Sequence, residues 1–105
     1  MAPMVNTTLG EMFVKSDTTT AKAGDVMFAA KNTGATMHGL AIVRAPVSAP
    51  GGMLDEKAFV ARGKDLAPGA SDMFTAKLKP GRYELVCYMP GHYAAGQKLA
   101  FEVRT

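Results

Sequence analysis

The sequence holds a single cysteine, Cys87, so no disulfide can form within the chain and the compartment cannot be read from disulfide usage. The work of that side chain is therefore packing or chemistry. Long hydrophobic runs are missing as well: the apolar stretches fall far short of a bilayer span, and no membrane crossing is expected in this chain. There is no block of consecutive Lys or Arg. The twelve basic residues are spread from Lys15 to Arg104, and the resulting net charge of +3 argues weakly for an acidic partner and against a nucleic-acid footprint, which needs basic residues gathered on one face. The start, Met1-Ala2-Pro3-Met4, lacks the charged and apolar regions of a secretory leader and runs almost at once into strand-like sequence. The expectation is a mature domain carried without its leader or a membrane anchor. No haem-attachment Cys-x-x-Cys-His, phosphate loop, internal repeat or low-complexity segment occurs.

What is present is an ordinary globular balance, 48% hydrophobic and 20% charged, in 105 residues. That is room for one domain over residues 1–105, large enough to bury a core without cross-links. Short apolar runs alternate with turn signals and no helical period is sustained. Asn6 to Lys15 reads as a first strand, with Thr18-Thr19-Thr20 as a β-branched continuation ending at Lys22-Ala23-Gly24-Asp25. Val26 to Lys31 follows, then a turn at Asn32-Thr33-Gly34 and the run His38 to Val43. Asp72 to Leu78 and Arg82 to Met89 flank the tight turn Lys79-Pro80-Gly81, and Lys98 to Val103 alternates as a last strand. Between Pro46 and Pro68, Met53 to Arg62 fits either a short helix or an irregular edge strand, with Leu54, Ala58 and Ala61 at helical spacing. The pattern predicts an all-β Greek-key sandwich of about seven to eight strands with one possible short helix.

The chemistry concentrates in Cys87-Tyr88-Met89-Pro90-Gly91-His92-Tyr93-Ala94-Ala95-Gly96-Gln97. A cysteine at a strand end, followed by Pro-Gly and a histidine, puts thiolate and imidazole on one tight loop where both can reach one metal. Taken alone, Cys87 would read as a small buried hydrophobe and His92 as a solvated loop residue. The other of the two histidines, His38, opens an apolar strand after Asn32-Thr33-Gly34-Ala35-Thr36-Met37, where an isolated histidine would ordinarily be a satisfied edge residue. A sandwich can bring that strand start beside the end of the Cys87 strand. Two imidazoles and one thiolate are then the equatorial set of a trigonal copper site.

The order of a histidine after an Asn-x-Gly turn, a long middle segment, then a Pro-Gly-Tyr strand leading into Cys-x4-His resembles the cupredoxin family of plastocyanin and azurin, from about Thr7 to Val103. Leu66-Ala67-Pro68-Gly69-Ala70-Ser71, followed by Phe74, Leu78, Pro80-Gly81 and Tyr83, is similar to the stretch before the ligand loop in bacterial members. The resemblance implies one copper ion held by His38, Cys87 and His92, and a one-electron carrier that docks redox proteins transiently near His92. It also implies a monomer in the periplasm or another extracytoplasmic space. Members of the family usually carry a methionine four or five residues after the loop histidine; here Gly96 and Gln97 stand there. The stellacyanin branch uses glutamine at this spacing, so the resemblance carries Gln97 over as axial ligand, with the Met89 thioether and the Met37 carbonyl as the other candidates. Many members also place an asparagine after the first histidine, whereas this chain has Gly39.

A copper carrier or storage protein could use the same ligands, and the eight methionines fit that alternative. Met12, Met27 and Met73, within strand patterns, read as core filler instead. An enzyme is not expected: there is no second cysteine for a binuclear copper centre, no His-x-His pair for a trinuclear cluster, and nothing beside the Cys and His that would serve a nucleophilic dyad.

Overall fold

The computed structural model describes residues 3–105; Met1 and Ala2, part of the start that lacks leader features, lie outside the described residues. Among the described residues, nine strands form two mixed sheets: β1 Met4–Gly10, β2 Phe13–Ser16, β3 Thr20–Lys22, β4 Gly24–Asn32, β5 Leu40–Arg44, β6 Phe59–Arg62, β7 Ser71–Leu78, β8 Gly81–Cys87 and β9 Lys98–Arg104. One sheet has the order β2-β1-β4-β7 and the other β3-β9-β8-β5-β6. Pairing is antiparallel except between β1 and β4 and between β3 and β9, which run parallel.

Alternation decides which faces meet. Val5 and Leu9 of β1, Val26, Phe28 and Ala30 of β4, and Ala76 and Leu78 of β7 turn inward from the first sheet. Leu40 and Ile42 of β5, Tyr83 and Leu85 of β8, and Phe101 and Val103 of β9 meet them from the second. Phe28 sits at the centre, stacked on Phe74 at 5.7 Å between ring centroids and tilted against Phe101 at 5.8 Å.

Three sequence expectations change and one open choice is decided. The stretch Asn6 to Lys15 is two strands: the chain reverses at Glu11-Met12 and folds back so that Gly10 faces Phe13, and a Cβ on Gly10 would fall on the Phe13 ring. Thr18-Thr19-Thr20 does not extend that strand, because after Ser16 the chain crosses to the second sheet and Thr20 pairs beside Glu102. Of the two readings open for Met53 to Arg62, the structure takes the irregular edge strand and not the helix. The segment forms a single short 3-10 turn, Glu56–Ala58, and then β6. Its apolar residues answer to packing rather than to a helical period: Leu54 and Phe59 lie, with Val47 and Ala49, against Ala41, Val43, Val86 and Tyr93 on the outer face of the second sheet. This is why β5 is buried on both faces, from Leu40 through Val43. Finally, Met73 is 55% exposed, so it is not core filler. The strand count thus rises from seven or eight to nine, because the hairpin and the sheet crossing each add a short strand.

Removing the central ring tests this packing. Phe28→Ala is expected to lower unfolding free energy by about 3–5 kcal/mol in urea titration of the metal-free protein, the range for truncating a fully buried phenylalanine.

Candidate metal centre

His38 lies at the mouth of the sandwich, between the turn after β4 and the start of β5. Its backbone forms an isolated antiparallel bridge with Leu66: His38 N–H donates to the Leu66 carbonyl at 3.1 Å, and Leu66 N–H donates back at 2.7 Å. Buried Asn32 locks the preceding turn. Its side-chain amide donates to the carbonyls of Thr36 and Leu66, both at 2.8 Å, while its Oδ1 accepts from Gly34 N–H at 2.8 Å. The Asn-x-Gly motif is therefore the mount that presents His38.

Cys87 closes β8. It stands opposite Leu40 in the β5–β8 ladder, which brings its sulfur to the His38 end of β5. Sγ lies 3.7 Å from His38 Nδ1 and 3.5 Å from His92 Nδ1, and the ligand atoms of these three residues all lie within 4.8 Å of one another. The two imidazole rings are 5.0 Å apart between centroids. Cys87 and His38 are fully buried, whereas His92 is half-buried. Burial pushes the Cys87 thiol above its ordinary range, and the backbone N–H groups of Gly39 and Met89, which point at the sulfur, pull it partly back.

The loop between Cys87 and β9 is braced along its length. His92 N–H donates to the Met89 carbonyl at 3.1 Å, Gln97 N–H to the His92 carbonyl at 3.1 Å, and Cys87 N–H to the Gln97 carbonyl at 3.2 Å. Gln97 is completely buried, and its Nε2 donates to two carbonyls of the β1–β2 hairpin, Gly10 at 2.7 Å and Phe13 at 3.1 Å. Two carbonyl partners fix which end of the amide carries nitrogen. Oε1 is left buried without a hydrogen-bond partner among the described residues. Gln97 lies near the thiol and the two imidazoles, and an unpaired buried carbonyl oxygen is a hard donor of the kind a cation can use.

Two neighbours were not legible as site residues. Glu11, in the same hairpin, accepts a hydrogen bond at 2.8 Å from His38 Nε2. It also accepts from Ala35 N–H and Thr36 N–H at 2.9 Å each and from Thr36 Oγ1 at 2.7 Å. These donors, the Ala35 N–H foremost, hold its carboxyl down at about 2. Tyr88 lies flat against Gly39, where any Cβ would fall on the phenol ring. Its hydroxyl donates to Asp65 Oδ1 at 2.7 Å, and the Arg62 guanidinium covers the ring at 4.2 Å. Glycine is required at this position because an aromatic ring occupies the space a side chain would need.

No protein-family model and no curated protein matches the sequence. Solved structures do. A dithionite-reduced auracyanin from the photosynthetic bacterium Roseiflexus castenholzii is 27% identical, with 99% of this chain and 98% of that one aligned at a TM-score of 0.76. Auracyanin A, a "blue" copper protein from Chloroflexus aurantiacus, is 20% identical over 99% of this chain and all of its own, at 0.75. An azurin from Methylomonas sp. strain J is 13% identical over the full length of both chains, at 0.77. This is a cupredoxin fold. Within it, His38, Cys87 and His92 form a candidate ligand set for one copper ion, with Gln97 nearby, and the arrangement fits a blue copper protein.

The Gly39 contact is testable without metal. Gly39→Ala should cost about 1–3 kcal/mol by overpacking against Tyr88. Combining it with Tyr88→Ala should cost less than the sum of the two single losses, as a double-mutant cycle by urea unfolding would show.

Proposed function

We propose that this protein of cupredoxin fold, acting as one unit over residues 1–105, is a type 1 copper protein that carries single electrons between redox proteins, and that His38, Cys87, His92 and Gln97, the last through Oε1, would hold the ion. The observation that carries this reading is the convergence, within 4.8 Å, of a thiol sulfur and two imidazole nitrogens drawn from two separate segments of the chain. Bound copper would supply the one-electron couple. The residues supply everything else.

Each donor is held from behind, as a site that exchanges electrons with little reorganisation requires. His38 is pinned through Leu66 and Asn32, Cys87 sits at the end of a central strand, and His92 rests on a loop crossed by backbone hydrogen bonds. Burial of Cys87 and His38 excludes water from one side. The half-buried His92, between exposed Gly91 and half-buried Met89, offers the exit edge for the electron. Pro90 beside them and Met37, 44% exposed, provide apolar surface for brief docking of redox partners. Met89 and the Met37 carbonyl stand as the other candidates for a fourth donor; Gln97 is preferred because its buried Oε1 has no hydrogen-bond partner among the described residues. A monomer in the periplasm or another extracytoplasmic space suits such a carrier. No helix among the described residues is long and apolar enough to cross a membrane.

Adding Cu(II) to the metal-free protein should give an intense thiolate-to-copper band and a small-hyperfine paramagnetic resonance signal, both lost in Cys87→Ser. A colourless complex would remove the proposal. Gln97→Met should raise the midpoint potential, because a thioether favours Cu(I) more than an amide oxygen does; an unchanged value would take Gln97 out of the coordination sphere. The raised thiol pKa of Cys87 has a defined sign. The metal-free protein keeps this proton at neutral pH and releases it when the metal binds, so copper affinity should rise with pH up to the thiol pKa. Calorimetry in buffers of different ionisation enthalpy would count the proton.

A further inference from the structure

Resting on the reading of His38 as a copper ligand, we propose that Glu11 is a positioning residue that sets both the orientation of His38 and the balance between the two copper oxidation states. An imidazole offers one donor and one acceptor nitrogen when neutral, and whichever partner takes the N–H decides which nitrogen keeps its lone pair. Glu11 Oε1 lies 2.8 Å from Nε2, whereas Nδ1 faces the Cys87 sulfur at 3.7 Å. A carboxylate can only accept, so Nε2 carries the hydrogen and Nδ1 is left free for the metal. This is a carboxylate–histidine–metal relay, which fixes the ring and raises its basicity as a ligand.

The seat of Glu11 is built rather than incidental. Three further donors, Ala35 N–H, Thr36 N–H and Thr36 Oγ1, hold the carboxylate in place, and a side chain at Gly34 would collide with it. All of these belong to the turn that mounts His38, so the clamp sits on the same segment as the ring it orients. The charge count gives the direction of the redox effect. The Cys87 thiolate and the Glu11 carboxylate together carry two negative charges, which balance Cu(II) and leave one in excess over Cu(I). The electron that a redox partner delivers therefore enters a site already compensated for the oxidised ion, and the midpoint potential falls. A loop clamp alone would hold the turn equally well with a neutral acceptor and would leave the potential where it was.

Glu11→Gln keeps an oxygen acceptor toward His38 and removes the charge. It is expected to retain the thiolate-to-copper band while shifting the Cu(II)/Cu(I) equilibrium at least about tenfold toward Cu(I), which is about 59 mV upward for a one-electron couple. Glu102→Gln, at the far end of β9 and paired with Arg104, removes a carboxylate outside the site and should shift the equilibrium less than about threefold. A Glu11→Gln protein that keeps its band and moves no more than Glu102→Gln overturns the proposal. A second measurement needs no copper and no variant: nitrogen-15 NMR of the metal-free protein at pH 8 should find the His38 hydrogen on Nε2, and a hydrogen on Nδ1 overturns the proposal. If the wild-type protein gives no thiolate band, the copper reading fails and the redox role falls with it, while the NMR result still decides whether Glu11 orients the ring.

Discussion

The register between β5 and β8 is the constraint on which the site depends. With Leu40 opposite Cys87, the sulfur at the end of one strand stands beside the start of the other, and His38 and Cys87, 49 residues apart, become neighbours. Side chains alternate across a sheet, so a slip of one residue would turn Cys87 to the outer face, away from His38. The apolar contacts of both faces of β5 hold that register. Leu40 and Ile42 interlock with Leu85 and Tyr83 in the main core, and Ala41 and Val43 pack under Leu54 and Phe59 outside it. The chemistry at the mouth of the sandwich thus depends on hydrophobic burial in the strands beneath it.

Much of this was legible because the composition is sparse in the relevant residues. One cysteine and two histidines made a Cys/His ligand set a candidate, and the resemblance of the whole motif order, Asn32-x-Gly34 before His38 and Pro80-Gly81 before Cys-x4-His, is what drew them into one site. The all-β class followed from the same alternation that fills the core. Segments where the chain changes sheet were harder. The sequence from Asn6 to Lys15 looks like one uninterrupted strand, since nothing in its spelling marks the reversal at Glu11-Met12 beyond Gly10. Met53 to Arg62 carries a helical spacing of small and apolar residues, but its geometry is decided by where Leu54 and Phe59 can be buried, which is a tertiary matter.

The neighbours of the ligands were the least visible. Glu11 is a partly exposed carboxylate in a hairpin, a kind of residue that is ordinarily solvated, and its partner His38 is 27 residues away. Tyr88 next to the cysteine offers no hint that it will lie on Gly39. The reason for glycine after His38 lies in that contact: the backbone N–H groups of Gly39 and Met89 face the sulfur, and the phenol ring covers the glycine.

One short hairpin tip touches the ligand cluster from behind at two points. Gly10 and Phe13 receive the Gln97 amide, and Glu11 receives His38. The half-buried His92 belongs to a different stretch of chain altogether. Because Gln97 also donates its N–H to the His92 carbonyl, a change in the tip is transmitted to the outward-facing loop, and through inheritance or engineering the two can drift only as a matched pair.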